Sequence, residues 1–243
     1  MDNTVFVGLS RQMTLRRELD IVANNIANAD TAGFKVESLM TGTEQRSPAK
    51  DDQLPHKVRF VLDHGVARDF NQGSLRRTDN EFDVAVEGDA FLTVQTAGGE
   101  RYTRDGRLRM DPQGRLVTQT GDPVMGEGGE ITLRLGEGPP TIAPDGTVSQ
   151  GANRIGRLRL VRFDNLSALS KEGEGRFLAD GVAANPAPDA RLRQGMLETS
   201  NAQPVLEIVR LIELSRSYER VTRMMDNTQD LSRRAVERLG RIG

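Results

Sequence analysis

Residues 205–239 run without a single Gly or Pro, and that stretch limits the possible folds more than any other feature of the chain. Ser200 or Asn201 can cap a helix ahead of it, and Pro204 suits a first turn. Leu211, Leu214, Tyr218, Val221 and Met225 then follow in steps of 3, 4, 3 and 4, the spacing of one helical face. The other face sets Glu219 before Arg223, Asp230 before Arg234 and Glu237 before Arg241 at i,i+4, as a solvated helix surface does. The N-terminal end repeats the pattern. Leu15, Leu19, Val22 and Ile26 draw a stripe within residues 5–29, with Asp2 or Asn3 as cap and Gly33 as stop. The stripe extends back less cleanly through Gln12 and Gly8 to Val5, with Leu9 and Met13 beside it. Helices of these lengths reach about 45 and 55 Å. Each has to bury its stripe, and each is the nearest cover for the other.

Between them the period changes to 2 and Gly and Pro become frequent. Val58, Phe60 and Leu62 alternate with polar residues, as do Phe82, Val84 and Val86. Leu108 and Met110 lead into the turn Asp111-Pro112-Gln113-Gly114, after which Leu116 resumes the pattern. Further strands are expected at Ile131–Leu135, Thr141–Ala143, Thr147–Ser149 and Leu158–Phe163, with a turn at Pro144-Asp145-Gly146. Residues 40–56, with Pro48 and Pro55, and residues 181–195, with Pro186 and Pro188, read as linkers.

The expected fold is therefore α+β: long N- and C-terminal helices pair as a coiled-coil-like domain and flank a central all-β domain. Its parts are residues 1–40 and 196–243 as the helical assembly domain and 41–80 as a linker with the first strands. Residues 81–180 form the β domain and 181–195 the return linker. Terminal helices paired across an insertion leave a face of each poorly covered, which is the architecture of a subunit that oligomerises.

Little in the sequence speaks for chemistry. There is no Cys, which excludes disulfides, thiolate nucleophiles and Cys-based metal sites. The only histidines, His56 and His64, lack a ligand spacing, and Asp51-Asp52 sits in a linker where adjacent carboxylates are solvated. The glycine-rich runs at 126–129 and 173–175 lack the Lys-Ser/Thr of a phosphate loop and read as turns. No GxSxG elbow occurs, and Asn165-Leu166-Ser167 matches a glycosylation sequon only as a short pattern. With aromatics at 4% and no Trp, the core is expected mainly from Val, Leu, Ile and Ala, and a large aromatic-lined ligand pocket is disfavoured. Neither a catalytic centre, nor a cofactor, nor a metal, nor a small-molecule substrate is expected. A balance of 33 basic against 35 acidic residues gives no electrostatic footprint for nucleic acid or an anionic membrane. No apolar run approaches the roughly 18 residues of a transmembrane segment, and the first residues lack the basic and apolar regions of a cleaved secretory signal.

One segment stands apart. Asn24, Asn25 and Asn28 fall within five positions at the end of the first helix, although Asn in a helix interior is about 0.5–0.7 kcal/mol worse than Ala. The bland reading is a fraying helix end. The functional one is that fixed amide hydrogen bonds to a neighbouring helix or subunit set register. The surrounding stretch LDIVANNIANADTAGFK (Leu19 to Lys35) resembles the N-terminal signature of bacterial flagellar rod and hook proteins. Phe82 to Gly126, with the element YTRDG at Tyr102 to Gly106, is similar to that family's β core. Gln194 to Asp226, with Arg216, Tyr218 and Glu219 in an RxYE-like element, is similar to its C-terminal helix. Two departures are small. Ala90-Phe91-Leu92 stands where Gly-Phe-Phe is common, which puts local β geometry in question, and Ser200-Asn201-Ala202-Gln203-Pro204 replaces SNVN and places Pro at the helix start.

The resemblance implies a structural subunit of the flagellar basal-body rod, in the proximal rod, with the distal rod as the alternative position. It implies helical assembly into a torque-transmitting axle that spans the periplasm, with copies of itself and other rod subunits as partners. It further implies passage through the flagellar type III export apparatus without a cleaved signal. The assembly surface is expected on Leu15, Leu19, Val22 and Ile26 and on Leu211, Leu214, Tyr218, Val221 and Met225, with Asn24, Asn25 and Asn28 fixing register. A rival from another class is a secreted β-domain enzyme or glycan-binding module on a helical oligomerisation stalk.

Overall fold

A computed structural model describes residues 3–46 and 58–239. Helix α1 spans Asn3–Ala27 and helix α2 spans Pro204–Leu239, so both expected helices form. Pro204 is the first residue of α2, where its missing N–H costs nothing. The chain divides into two compact units. One gathers α1, α2 and a two-stranded sheet of Glu37–Arg46 with Val58–Arg68. That sheet differs from the expected linker over 40–56: Glu37–Arg46 is a strand despite its polar sequence, because a two-stranded sheet exposed to water needs no apolar face. His56, Asp51 and Asp52 lie outside the described residues. His64 sits exposed in the second strand with its imidazole against Gly42.

The other unit, residues 28–36 and 68–202, is all β apart from one 3-10 turn at Leu166–Ala168. Its centre is a six-stranded sheet in the order 169–171, 176–179, 99–103, 91–96, 160–162, 185–186. The hairpin Phe91–Thr96 with Gly99–Thr103 supplies the middle of that sheet. Side chains alternate across it. Leu92 and Val94 join Val84, Val86, Leu108, Leu116, Val124, Val148 and Leu158 in an aliphatic core. Phe91 turns the other way, into a second core with Tyr102, Val161, Phe163, Leu169 and Phe177. Phe70, Phe91, Phe163, Phe177 and Tyr102 meet there edge to face, ring centroids 4.8–5.9 Å apart. The larger core is aliphatic as expected, and five of the ten aromatic residues gather on the other face of the sheet. Ala90 and Leu92 are buried and the strands around them form, so the departure from Gly-Phe-Phe leaves the β geometry intact.

The turn at Asp111–Gly114 closes as expected: Gly114 N donates to Asp111 O at 2.9 Å, and the Asp111 carboxylate accepts from Gln113 N and Arg115 N. At Ile131–Leu135 the alternation is real, with Ile131 and Leu133 buried, yet the backbone bonds Leu116 and Gly114 as an isolated bridge rather than a continuous strand. Residues 181–195 are not a free linker. Asn185–Pro186 is the edge strand beside Leu160–Arg162, a place that tolerates Pro. Arg191–Gln194 pairs antiparallel with Val84–Glu87 and buries Leu192.

Candidate assembly site

Helices α1 and α2 pack side by side and antiparallel. A Cβ added at Gly8 would sit 3.0 Å from Met225 Cγ, Gln12 Nε2 donates to Tyr218 Oη at 3.1 Å and Thr222 Oγ1 at 3.2 Å, and Asn25 Nδ2 donates to Glu207 Oε2 at 3.1 Å. The start of one helix therefore lies beside the far part of the other. Gly8 is what allows the close approach at one end, since any larger residue would press on Met225.

The stripe expected to contact other subunits is largely consumed within one chain. Leu15, Val22 and Asn25 are buried, while Leu19, Ile26, Asn28, Leu211, Leu214, Tyr218, Val221 and Met225 are half-buried. The reason is the one given by the sequence itself: each helix is the nearest cover for the other. Asn25 is fully buried between the two helices and the following strand. Its Nδ2 also donates to Glu37 O at 2.8 Å and its Oδ1 accepts from Glu37 N at 3.0 Å, so one side chain ties α1 to α2 and to the strand that follows. Asn28 accepts from Thr31 Oγ1 at 3.1 Å in the turn that ends the helix, and Asn24 is exposed.

What remains open is a different set of residues. Phe6, Leu9 and Met13 on α1, and Val205, Ile208, Val209 and Ile212 on α2, are between 45% and 74% exposed. Sequence reasoning noted Leu9 and Met13 only as neighbours of the stripe. The signal was present in the run Val205 to Leu214, which is apolar on both faces of the helix rather than one.

A second constellation lies in the β unit. Glu198 is buried and its Oε1 accepts from Lys35 Nζ at 2.7 Å and Gly73 N at 2.8 Å. Its Oε2 accepts from Arg104 Nε at 2.8 Å. Lys35 also donates to Asn71 O, and Arg104 to Gly88 O, with the guanidinium over the Phe91 ring. Burial pushes the Lys35 ammonium below the usual lysine range and the nearby Arg104 adds to that, while Glu198 pulls the other way. Around the cluster, Gly33 N donates to Glu198 O, Val36 N to Asn201 Oδ1, and Thr199 N to Ser74 O. Gly33 has φ +67°, and a Cβ there would fall 2.5 Å from the Arg104 carbonyl carbon, so only Gly fits. Lys35, Arg104 and Glu198 each come from one of the three signature blocks, which this cluster clasps together. The arrangement is closed to solvent and has its hydrogen-bonding capacity occupied by the protein itself, as a structural tie does.

The comparisons with known proteins divide along the same blocks. Residues 7–35 match the family model of the flagella basal body rod protein, residues 85–150 that of the flagellar hook protein FlgE/F/G D1 domain, and residues 193–238 that of the flagellar basal body rod FlgEFG protein C-terminal region. The chain is 57% identical to the flagellar basal-body rod protein FlgF of Caulobacter vibrioides over the full length of both. It is 36% identical to FlgF of Mesorhizobium japonicum over 99% of each chain. Against the flagellar basal-body rod protein FlgG of Buchnera aphidicola (Schizaphis graminum) it is 33% identical over 87% of this chain and 90% of the relative.

Proposed function

The chain belongs to the flagellar basal-body rod protein family, and on that footing we propose that it is a structural subunit of the proximal rod, assembling helically into the axle that carries torque. The observation that carries this reading is the extent of the likeness to FlgF: it covers both terminal helices as well as the β unit, so the parts that would make assembly contacts are shared along with the fold. In this reading the seam between α1 and α2 makes each subunit's helix pair a stiff element, and the outer faces of the pair meet neighbouring rod subunits. Its role is structural rather than catalytic. It reaches the rod, which crosses the periplasm, through the flagellar type III export apparatus, and its cysteine-free sequence suits a chain threaded in an unfolded state.

A compact label inserted in the exposed loop Gly136-Glu137-Gly138, followed by electron microscopy of purified basal bodies, tests the position. Label on the membrane-proximal part of the rod supports the proximal assignment. Label further out assigns the chain to the distal rod, and absence from the basal body overturns the reading.

A further inference from the structure

Two short two-stranded sheets in the β unit stand apart from the six-stranded one. Val84–Glu87 pairs with Arg191–Gln194, and Leu75–Arg77 pairs with Met196–Glu198. In both, one strand comes from residues 191–201, the last stretch of the unit. The same stretch bonds the segments with which the unit begins. Gly195 O accepts from Thr78 N at 2.8 Å and Asp79 N at 3.1 Å, and Glu198 O from Gly33 N at 2.9 Å. Asn201 Oδ1 accepts from Val36 N at 2.8 Å, and its Nδ2 donates to Asp69 O at 2.8 Å. The Gln194 side chain accepts from Ile142 N and donates to Glu81 O and Pro140 O. With residues 191–201 detached, residues 33–36 and 69–87 would lose both ladders and the Glu198 carboxylate that Lys35 bonds. A buried cation stripped of its partner does not stay buried.

We propose that residues 191–201 are a strap that yields before the sheet: it opens as one piece with residues 33–36 and 69–87 while the six-stranded sheet stays folded. None of the four strands involved is a member of that sheet. They are joined to the rest of the unit by Val84, Val86 and Leu192 in the aliphatic core and by bonds such as Val84 N to Gly106 O and Leu192 N to Pro144 O. A motif with its own ladders and few ties outward is the kind of piece that opens by itself. The strap also sets the mouth of the unit. Gly33 bonded to Glu198 and Val36 bonded to Asn201 hold the chain's entry to the unit beside its exit. A load that pulls entry and exit apart therefore falls on the strap first, and its opening releases both connections without dismantling the sheet.

Native-state hydrogen exchange of the full-length chain at rising urea tests this. Asp69 and Val84 are the telling amides, because they donate to Val36 O and Gly106 O and not to the strap. They are expected to exchange through the same opening as Gly33, Leu192 and Thr199, with a smaller urea slope than Gln95 and Val124, whose acceptors are Pro123 O and Leu116 O. If either Asp69 or Val84 exchanges with Gln95 and Val124 while Leu192 and Thr199 open ahead, the strap frays alone and the proposal fails. One slope shared by all these amides also overturns it. Val161→Ala gives a second reading. Val161 is buried in the aromatic core, in the sheet strand opposite Phe91, and so belongs to the part that stays folded whether the strap is closed or open. The change should lower protection of Gln95 and Val124 about tenfold and leave Gly33, Val84 and Thr199 within about twofold. An equal loss at every amide means that the unit opens only as a whole, and overturns the proposal.

Discussion

Lys35 and Glu198 are 163 residues apart in sequence and 2.7 Å apart in space, in a pocket that admits no water to either side chain. Arg104 completes the group, giving two cations to one carboxylate. That imbalance makes the carboxylate indispensable and the lysine less so. Glu198→Gln leaves two buried cations facing a neutral amide and is expected to cost about 3–5 kcal/mol. Lys35→Met leaves a one-to-one pair of Arg104 with Glu198 and is expected to cost about 1–3 kcal/mol. Denaturant unfolding of the two variants checks the order. Equal losses would mean that packing rather than charge sets the stability of this tie.

The helix seam and the outer faces of the helices should respond oppositely to truncation. Leu15 is fully buried, so Leu15→Ala is expected to destabilise the helix pair by about 2–5 kcal/mol. Met13, two residues earlier and 66% exposed, should tolerate Met13→Ala within about 0.5 kcal/mol in the isolated chain. Thermal melts followed by far-UV circular dichroism separate the two.

Gly106, the last residue of the YTRDG element, accepts from Val84 N at 3.0 Å and lies tight against that strand. A Cβ there would come within 1.6 Å of Val84 O, the carbonyl of a central core strand, whereas a Cβ at Gly128 meets nothing within 4 Å. Gly106→Ala should therefore lower the unfolding midpoint of the β unit sharply and Gly128→Ala should leave it in place. Scanning calorimetry of both variants gives the comparison.

Acid should find one surface tie early. Arg101 donates to both carboxylate oxygens of Glu172, and this hydrogen bonding holds the Glu172 carboxyl below its ordinary value of 4.5. The unfolded chain then takes up the proton first, so the stabilisation is complete above about pH 4.5 and drains away as the pH falls below it. Replacing Glu172 with Gln should flatten that limb of the stability profile relative to the native chain. Urea unfolding measured through the acid range reads it directly.

Which parts of this fold could be seen in the sequence follows from the physics of each. Leu15, Val22, Leu214 and Tyr218 were legible because a helix half-covered by a partner writes its contact face at a period of 3.6. The hairpin Phe91–Thr96 with Gly99–Thr103 was not, although it is the centre of the largest sheet. Phe91, Leu92, Thr93 and Val94 are all buried, so a strand covered on both faces shows no alternation to read. Glu37–Arg46 failed for the converse reason, being too polar to announce a strand. The cluster of Lys35, Arg104 and Glu198 was beyond local reading altogether, since no periodicity links positions that only tertiary structure brings together. Asn25 could be singled out as costly in a helix, but its partners Glu37 and Glu207 could not be named from spacing. The stripe with the cleanest period is the one the chain partly covers for itself, and periodicity alone does not separate a face covered within the chain from one offered to a neighbour.

The antiparallel register of α1 and α2 gives the subunit a lap joint rather than a butt joint. From Gly8 beside Met225 to Asn25 beside Glu207, the two helices overlap along most of α1. A pull or a twist applied to one end is shared as shear across every contact in that overlap. Strength in such a joint grows with the length glued, and failure requires the whole seam to slide at once. In a part that must turn without stretching, this suits a protein whose individual contacts are each weak.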